Sequence, residues 1–485
     1  MSNPFDEYIE EEVYRDSIAT VDKSGKRIWI FPKMPKGRFY EYRKYVSYVL
    51  LIVLFGLPFV KLNGKPFVLL NVLETEFILF GVYFAPHDFH LFVIAMLIFM
   101  VFIVLFTVIY GRLFCGWVCP QTIFMEMVFR RIEYWIEGDS NAQRRLAKAP
   151  WTTEKYVKKV GKQLVFILIS VFIAHTFLSY IIGLDEVTKI ISEPISEHWR
   201  GFIAMIIFTG MFYGVFSVMR EQVCTTICPY GRLQGVLLDE NSLAVAYDFE
   251  RGEPRGRRKK KKKSEVESMA TSTSSEVLEP ELGDCIDCGL CVRVCPTGID
   301  IRNGTQLECV NCTACMDACD EIMEKIDKPK GLVRIDSHNG IVNRNHKLWN
   351  SRVAAYTFVL VALLGLESFL FMNRSSVETL FLRTPGMLYQ DNDDGYISNL
   401  YNYQLINKSD LEVEVTFTCE DVPGIIFEPI GQPPKTIKNK VSEGAVFIKI
   451  PKDQVKGRKN ELIIKVYNGK ELLDEAETTF LGPGK

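Results

Sequence analysis

Eight cysteines between positions 285 and 319 fall into two copies of one spacing. In each copy three cysteines are separated by two residues, and a fourth follows after three more, which is the run that ligates 4Fe-4S clusters. Zinc sites and disulfide frameworks have no need for a third cysteine at this spacing. The residues therefore predict two iron-sulfur clusters. The two runs are Cys285, Cys288, Cys291 and Cys295, then Cys309, Cys312, Cys315 and Cys319.

The fourth cysteine of each run is expected to serve the other cluster, as in two-cluster ferredoxins. One predicted ligand set is thus Cys285, Cys288, Cys291 and Cys319, and the other is Cys309, Cys312, Cys315 and Cys295. Asp320 stands where proline would be expected after the second run. We expect this departure to change a local turn or a potential, but not ligation.

Four further cysteines form two Cys-x3-Cys-Pro motifs, each at the end of an apolar segment. They are Cys115 and Cys119 in the first motif, and Cys224 and Cys228 in the second. The recurrence indicates a duplicated two-helix unit. A spacing of four would place both thiols of a pair on one helix face, close enough to chelate a soft ion or to form a strained disulfide.

Three interpretations of these four motif cysteines stay open. They could be buried structural residues, although their recurrence in equivalent places argues against it. They could form a thiol site for copper or for dithiol redox chemistry, because thiolates select Cu(I) and so favour reduction of Cu(II). They could also meet in one centre that holds a further iron-sulfur cluster or zinc.

Composition narrows the class of protein. The 485 residues are 48% hydrophobic with a net charge of -2, so the apolar residues must be concentrated in segments, and nucleic-acid binding gains no support. Twelve of the thirteen cysteines lie in C-x2-C or C-x3-C groups. This grouping indicates metal or redox use in a reducing compartment rather than a disulfide framework.

Five apolar segments have close to the roughly 20 residues that a helix needs to cross a bilayer. They are residues 45–60, 89–110, 163–183, 201–219 and 353–372. Another apolar stretch, 66–84, is broken by Asn71, Glu74 and Glu76, and is expected to be interfacial or re-entrant rather than a span. His175 lies inside the third segment, where function or a hydrogen bond to a neighbouring helix would explain it equally well.

Basic residues predict the orientation of these segments. Lysine and arginine are concentrated in 1–44, 111–162 and 220–352, which should therefore lie on the cytoplasmic side. No removable signal peptide is visible in 1–44. The expected protein is a multi-pass protein of the bacterial inner membrane, with its N-terminus and clusters cytoplasmic and its C-terminal domain periplasmic.

The C-terminal residues change to a period-two pattern, in which Val413, Val415, Phe417 and Cys419 alternate with polar residues. Together with a hairpin predicted at Asn468-Gly469, this pattern favours an immunoglobulin-like β-sandwich of about seven strands. The predicted parts are an N-terminal segment (1–44), a four-span membrane domain (45–250), a basic and Ser/Thr-rich linker (251–280), a ferredoxin-like domain with two 4Fe-4S clusters (281–350), a fifth transmembrane helix (351–373) and the β-domain (374–485).

This combination resembles the CcoG family, also called RdxA or FixG, of cytochrome c oxidase accessory proteins. The paired Cys-x3-Cys-Pro motifs, the two-cluster segment, the fifth span and the outer β-domain carry the resemblance over essentially the whole chain. NapH-type quinol dehydrogenase proteins are similar in the spans and clusters but lack the outer domain. The long poly-lysine linker is not part of the family pattern.

The resemblance implies reduction of Cu(II) to Cu(I) during assembly of a cbb-type oxidase, with Cys115, Cys119, Cys224 and Cys228 needed for it. Implied partners are the lipid bilayer, a cytoplasmic electron donor, and oxidase subunits or copper-delivery proteins; a homo-oligomer is compatible with the sequence. The alternatives are a quinol-linked electron conduit and a non-enzymatic copper chaperone or assembly scaffold.

Overall fold

The structure is a computed structural model that describes residues 20–21, 24–62, 64–73, 76–84, 88–256, 282–344, 346–375, 377–386, 388–392, 395–408, 412–437 and 441–483. The chain forms two compact units. Unit 1 comprises residues 1–58, 97–179 and 184–362, and unit 2 comprises 59–96, 180–183 and 363–485. Most of the predicted linker, including the basic run 257–263, lies outside the described residues.

Five helices in the described ranges are long and apolar enough to cross a membrane, which confirms the five predicted spans. We number them spans one to five in chain order: Arg38–Phe59, Phe89–Tyr110, Thr153–Ile182, Trp199–Met219 and Ser351–Met372. Span one ends in a 3-10 turn, Leu57–Phe59, that contains Pro58. Proline there removes a backbone donor, so the regular helix stops before it.

Aromatic side chains fill the interior of the helical part of unit 1. Phe129 packs against Phe166 and Phe216, with ring centroids 4.8 and 4.9 Å apart. Phe55 of span one stacks on Phe172 of span three at 4.6 Å. These separations are typical of closely packed aromatic rings. The contacts join spans one, three and four through the segment that follows the first cysteine motif.

Short elements connect the spans of unit 1 and carry the cysteines. The helices are Leu113–Trp117, Pro120–Ile123, Arg130–Glu137, Ser140–Lys148, Leu184–Ser192, Pro229–Leu237, Phe249–Gly252, Leu290–Val294, Ala314–Lys325 and His338–Val342, with a 3-10 turn at Ile301–Asn303. Three π-helical turns, at Phe124–Phe129, Gly214–Met219 and Val223–Ile227, flank the motifs. The ferredoxin-like part adds a two-stranded antiparallel sheet, Ala244–Tyr247 with Val333–Asp336.

Unit 2 is built mainly of antiparallel strands. A four-strand path runs in the order Ile426–Ile430, Val441–Pro451, Tyr396–Asn407 and Val377–Arg383, with Gln390–Asp391 also paired to the third of these. The facing sheet has the order Thr416–Thr418, Lys459–Asn468 and Glu471–Leu481. Alternate residues of both sheets form the core, including the fully buried Leu405, Val446 and Ile464. This is the predicted immunoglobulin-like sandwich.

Three details of unit 2 differ from or refine the expectations. The stretch 66–84 forms strands, Lys65–Pro66, Val68–Asn71, Glu76–Leu79 and Val82–Phe84, and Lys61–Leu62 pairs with the first of them. β-branched and aromatic residues with a turn at Gly81 favour this hairpin arrangement. As expected, the stretch is not among the candidate spans of the described residues. Asn468 pairs with Glu471, so the predicted hairpin is confirmed and its turn is Gly469-Lys470. Cys419 packs partly buried against the sandwich core.

Candidate metal centres

The two Cys-x3-Cys-Pro motifs share their backbone at the second cysteine, whereas Cys115 lies in the α-helix Leu113–Trp117 and Cys224 in the π-helical turn Val223–Ile227. In each, the second cysteine caps a helix whose first residue is the proline: Cys119 precedes Pro120–Ile123, and Cys228 precedes Pro229–Leu237. The amides of Cys119 and Cys228 each donate to the carbonyl five residues earlier, at 2.9 and 2.8 Å. The thiols of a pair therefore do not lie along one continuous helix as expected, because proline is suited to begin a new helix at the second cysteine.

The structure brings the four motif thiols together. Burial first, and then the charges of the three other motif thiols, raise the pKa of Cys224 to about 12. Burial likewise raises the pKa of Cys115 to about 11, with Cys119 and Cys228 adding to the rise. Cys115 and Cys224 also pack against the same buried cluster, and the Cys115 thiol reaches Gln234 in the helix that follows the second motif. We call these four cysteines the four-thiol site. All four cysteines are partly buried and free of disulfides.

Arg112 and Gln234 border this four-thiol site, and neither is among the residues predicted from the sequence. The thiol of Cys115 donates to Gln234 Oε1 at 3.0 Å. Arg112 donates from Nη2 to the Gly231 carbonyl at 2.7 Å, and from Nη1 to the carbonyl of Leu307. Both side chains are buried. The available signal was an arginine three residues before a cysteine at the end of an apolar segment.

A buried network of ion pairs lies next to the second motif. Glu221, three residues before Cys224, accepts from Arg27 at 2.8 Å and lies 3.6 Å from Arg130. Arg130 is 1% exposed and also pairs with Glu126 at 3.1 Å. Since Arg130 and Glu126 follow the first motif while Glu221 precedes the second, the network joins the two halves of the repeat.

The ferredoxin-like segment encloses a cavity lined by five cysteines: Cys291, Cys295, Cys309, Cys312 and Cys315. The fourth cysteine of the first run thus lies with the three leading cysteines of the second. Conversely, burial and then the charges of Cys291, Asp320, Cys285 and Cys288 raise the pKa of Cys319 to about 12. Cys291 lies near both sets of thiols, and each set includes the fourth cysteine of the other run, as cross-ligation of two clusters requires.

Both groupings suit 4Fe-4S clusters in the chemistry of their donors. Each offers four soft thiol ligands, the donor type that holds 4Fe-4S clusters. Burial raises the pKa of Cys309 and Cys319 to about 12, and the positive charge of bound iron would offset that cost. Apolar side chains such as Ile301 and Met316 pack around the thiols. The backbone at Asp287, Asn311 and Thr313 is left-handed, which turns the chain tightly between the cysteines.

The four-thiol site and the second ferredoxin run are in direct contact. Cys115 and Cys224 pack against a buried cluster that contains Val310 and Cys312. A Cβ atom added to Gly116 would lie 2.4 Å from the Val310 carbonyl oxygen, so only glycine permits this approach.

Asp317 of the ferredoxin-like segment caps the start of span one, accepting from the amide of Tyr40 at 2.7 Å.

His175 has a local explanation. Its Nδ1 lies 2.6 Å from the carbonyl oxygen of Val171, one turn earlier in the same helix. The prediction of a hydrogen bond to a neighbouring helix differs from this contact, which lies within the same helix. His175 is not part of the four-thiol site.

Comparison with known proteins covers most of the chain. The nitrogen fixation protein FixG of Rhizobium meliloti is 31% identical over an alignment of 479 positions that covers 88% of this chain and 87% of FixG. The chain belongs to the FixG/RdxA family. RdxB and RdxA of Cereibacter sphaeroides are 34% and 33% identical, covering 81% and 78% of this chain and 83% and 80% of their own lengths.

Three family models match this FixG/RdxA protein in separate regions. A model described as the Ig-like fold at the C-terminus of FixG matches residues 368–483. A 4Fe-4S dicluster domain matches 219–338, and a 4Fe-4S binding domain matches 92–140. The FixG/RdxA protein is therefore a multi-pass membrane protein with iron-sulfur domains and a role in electron transfer. The region 92–140 contains only two cysteines, Cys115 and Cys119, so a cluster there would also need the second motif.

Proposed function

We propose that this FixG/RdxA protein reduces Cu(II) to Cu(I) at the four-thiol site during assembly of a cbb-type cytochrome c oxidase. The observation that carries the proposal is the convergence of Cys115, Cys119, Cys224 and Cys228 in direct contact with the second ferredoxin run. A thiol site beside a one-electron carrier is the arrangement that copper reduction requires.

Thiol chemistry supplies the driving force. Thiolates bind Cu(I) more strongly than Cu(II), so a copper ion held by these cysteines is more easily reduced. Each Cu(II) takes up one electron and leaves as Cu(I), with no change at sulfur. When bound, 4Fe-4S clusters supply electrons one at a time, which matches this stoichiometry. Arg112 lowers the pKa of Cys115 against the effect of burial, and so favours the thiolate that binds copper.

The chain's own residues hold this site in place. Gly116 allows the first motif to approach the second ferredoxin run, and Gln234 accepts from Cys115. Glu221 and Arg130 tie the two motifs together. The cluster ligands are proposed as Cys285, Cys288, Cys291 and Cys319 for one centre, and Cys309, Cys312, Cys315 and Cys295 for the other.

We infer the orientation from the basic residues. Lysine and arginine between spans two and three, and between spans four and five, support a cytoplasmic location for the clusters and the four-thiol site. The sandwich would then lie in the periplasm, where it could contact oxidase subunits or copper-delivery proteins. Electrons would come from a cytoplasmic donor.

A second function for the four thiols has support of its own. The match of residues 92–140 to a 4Fe-4S binding domain favours a third cluster shared by the two motifs. Such a cluster would extend the electron path to a later acceptor instead of binding copper. Iron quantification separates the two roles.

The test is a Cu(II) reduction assay on anaerobically purified protein with chemically reduced clusters. Replacing Cys115 and Cys119 with serine should abolish Cu(I) formation and leave the spectrum of the ferredoxin clusters intact. Cys419→Ser, which removes a thiol from the sandwich, is the matched control. Unchanged copper reduction in the double variant would reject the proposal. Quinol oxidation without any response to copper would instead favour the quinol-linked alternative.

Copper transfer with clusters that stay redox-silent would support the chaperone alternative. In that case Cu(I) supplied to the protein would be passed on, while Cu(II) would be bound but not reduced. A Cu(I) indicator distinguishes these outcomes directly. The proposed reductase should convert Cu(II) without any added copper reductant.

A further inference from the structure

A cavity of about 300 Å³ opens beside the two-stranded sheet of unit 1. Its lining includes Ala244 and Ala246 of the sheet, which we call the floor, and Phe249 and His338, which we call the wall. The rings of Phe249 and His338 stand edge to face, with centroids 5.9 Å apart. A volume at the lower end of the range for ligand pockets, with small residues beneath and rings at the side, suits one flat aromatic group.

The strand under this cavity separates it from the cysteine-lined cavity by a single layer. Side chains alternate along a strand, so Ala244 and Ala246 face one way and Val245 faces the other. Val245 lines the cavity that contains Cys295, Cys309 and Cys315, and it is 2% exposed. The aromatic cavity therefore lies behind the proposed second cluster site.

The same cavity also touches the first cluster grouping. Tyr247 follows Ala246 in this strand and packs in the same buried cluster as Cys285. Its hydroxyl donates to Glu253 at 3.2 Å. The strand that carries Ala244 and Ala246 thus lies next to a proposed ligand of the first cluster and borders the second.

The charged residues that line the cavity disfavour binding of a phosphate group. Asp239 and Asp336 are the charged residues in its described lining, which includes no lysine or arginine. Asp336 is paired with Arg334 at 2.8 Å, and Asp239 lies 3.6 Å from Arg352. The cavity is therefore suited to an uncharged ring with hydrogen-bonding edges rather than to an anionic group.

We infer that this cavity is the electron entry site and binds the tricyclic ring of a free reduced flavin. A reduced flavin can give up one electron and one proton at a time; the electron goes to a one-electron iron-sulfur acceptor, and the proton leaves to water through the cavity mouth. The inference goes beyond copper reduction, because it concerns where electrons enter. It is tested without copper, so its failure is distinguishable from failure of the proposed function.

The test uses the full-length holoprotein with riboflavin, which lacks a phosphate. Ala246→Phe fills the floor, and Phe249→Ala removes one ring of the wall without adding bulk. The matched control is Ala147→Phe, at an exposed helical position distant in sequence. Binding is measured by quenching of flavin fluorescence. The expected result is saturable quenching in the natural sequence, weakened about tenfold or more in both cavity variants and unchanged in Ala147→Phe.

Cluster reduction gives a second readout. Photoreduced riboflavin should bleach the cluster absorbance about tenfold more slowly in Ala246→Phe than in the natural sequence, whereas dithionite, which needs no such cavity, should reduce both at equal rates. Equal dithionite rates also show that the variant is folded and loaded. Absence of riboflavin binding to the natural sequence, or unchanged binding in both cavity variants, would overturn the inference.

Discussion

Gly116 lies against the backbone of Val310, and a Cβ atom at Gly116 would be 2.4 Å from the Val310 carbonyl oxygen. This contact joins the first Cys-x3-Cys-Pro motif to the second ferredoxin run. A rigid backbone oxygen, rather than a flexible side chain, occupies the space that a larger residue would need. The distance between the two proposed redox sites is therefore set by a glycine.

Gly116→Ala should push these two segments apart. We expect a destabilisation of about 1–3 kcal/mol from overpacking, and a fall in Cu(II) reduction that exceeds any loss of cluster content. The matched control is Gly161→Ala in span three, where no atom lies within 4 Å of the added Cβ. Equal copper reduction by the two variants, at equal iron content, would contradict the proposed contact between the sites.

Removing the buried Arg130 should destabilise unit 1. Arg130→Met would remove the buried cation that pairs with Glu126, while Glu221 would keep its pair with Arg27. Breaking a buried ion pair from one side costs about 3–5 kcal/mol. The control is Lys158→Met, whose pair with Glu154 is exposed and should contribute well under 1 kcal/mol. Thermal unfolding followed by loss of cluster absorbance measures both. A similar midpoint for the two variants would argue against a structural role for the network.

Asp88 should stabilise unit 2 at neutral pH. Its carboxylate is 2% exposed and accepts from Arg374 and Lys408, each at 2.6 Å. Burial opposes ionisation, but the bonds to these cations outweigh it and lower the pKa of Asp88. Its contribution is thus present above the ordinary carboxyl pKa of about 3.9, and is lost as the pH falls through the lowered folded value.

Asp88→Asn should remove that contribution at every pH above this window. We expect amide hydrogen exchange within unit 2 of the full-length protein, followed by mass spectrometry, to be faster in the variant than in the natural sequence at pH 7. The difference between the two proteins at the same pH should shrink in strong acid. Glu412→Gln, which breaks an exposed pair with Lys435, is the control and should exchange at the natural rate. A constant difference down to pH 2 would conflict with this assignment.

Iron content should distinguish the two roles proposed for the four thiols. If the site receives copper, replacing all four motif cysteines with serine leaves the iron content unchanged. If it holds a third cluster, the same variant loses about four iron atoms per chain. The control is Cys309→Ser, which removes a proposed ligand of the second ferredoxin cluster and should lower the iron content in either case.

The sequence was sufficient to predict the five spans, the sandwich and the iron-sulfur character of the ferredoxin-like segment, because these depend on local patterns. Hydrophobic length predicts a span, and two-residue gaps between cysteines predict a cluster ligand set. The approach of Gly116 to Val310 and the capping of span one by Asp317 join residues far apart in the chain. Such contacts depend on tertiary packing, and no local pattern encodes them.

The strands at 66–84 show that even a visible local pattern can leave the type of secondary structure undecided. Apolar character was visible there, but a short apolar run can form either a helix or a strand. Pairing of Leu69 with Ile78 and of Ile78 with Tyr83 resolves it as an antiparallel sheet. Arg112 was missed for a related reason, since its acceptors lie more than 100 positions later in the chain.

The most direct test of copper reduction at the four-thiol site is a single-turnover experiment. Anaerobic protein with chemically reduced clusters, freed of reductant, is mixed with Cu(II) while cluster reoxidation and Cu(I) formation are recorded together. The natural sequence should form one Cu(I) for each electron lost from the clusters. With Cys115, Cys119, Cys224 and Cys228 replaced by serine, the clusters should still be reducible, but their reoxidation should slow by about 100-fold or more. Reoxidation by Cu(II) at the natural rate in that variant would contradict the proposed site.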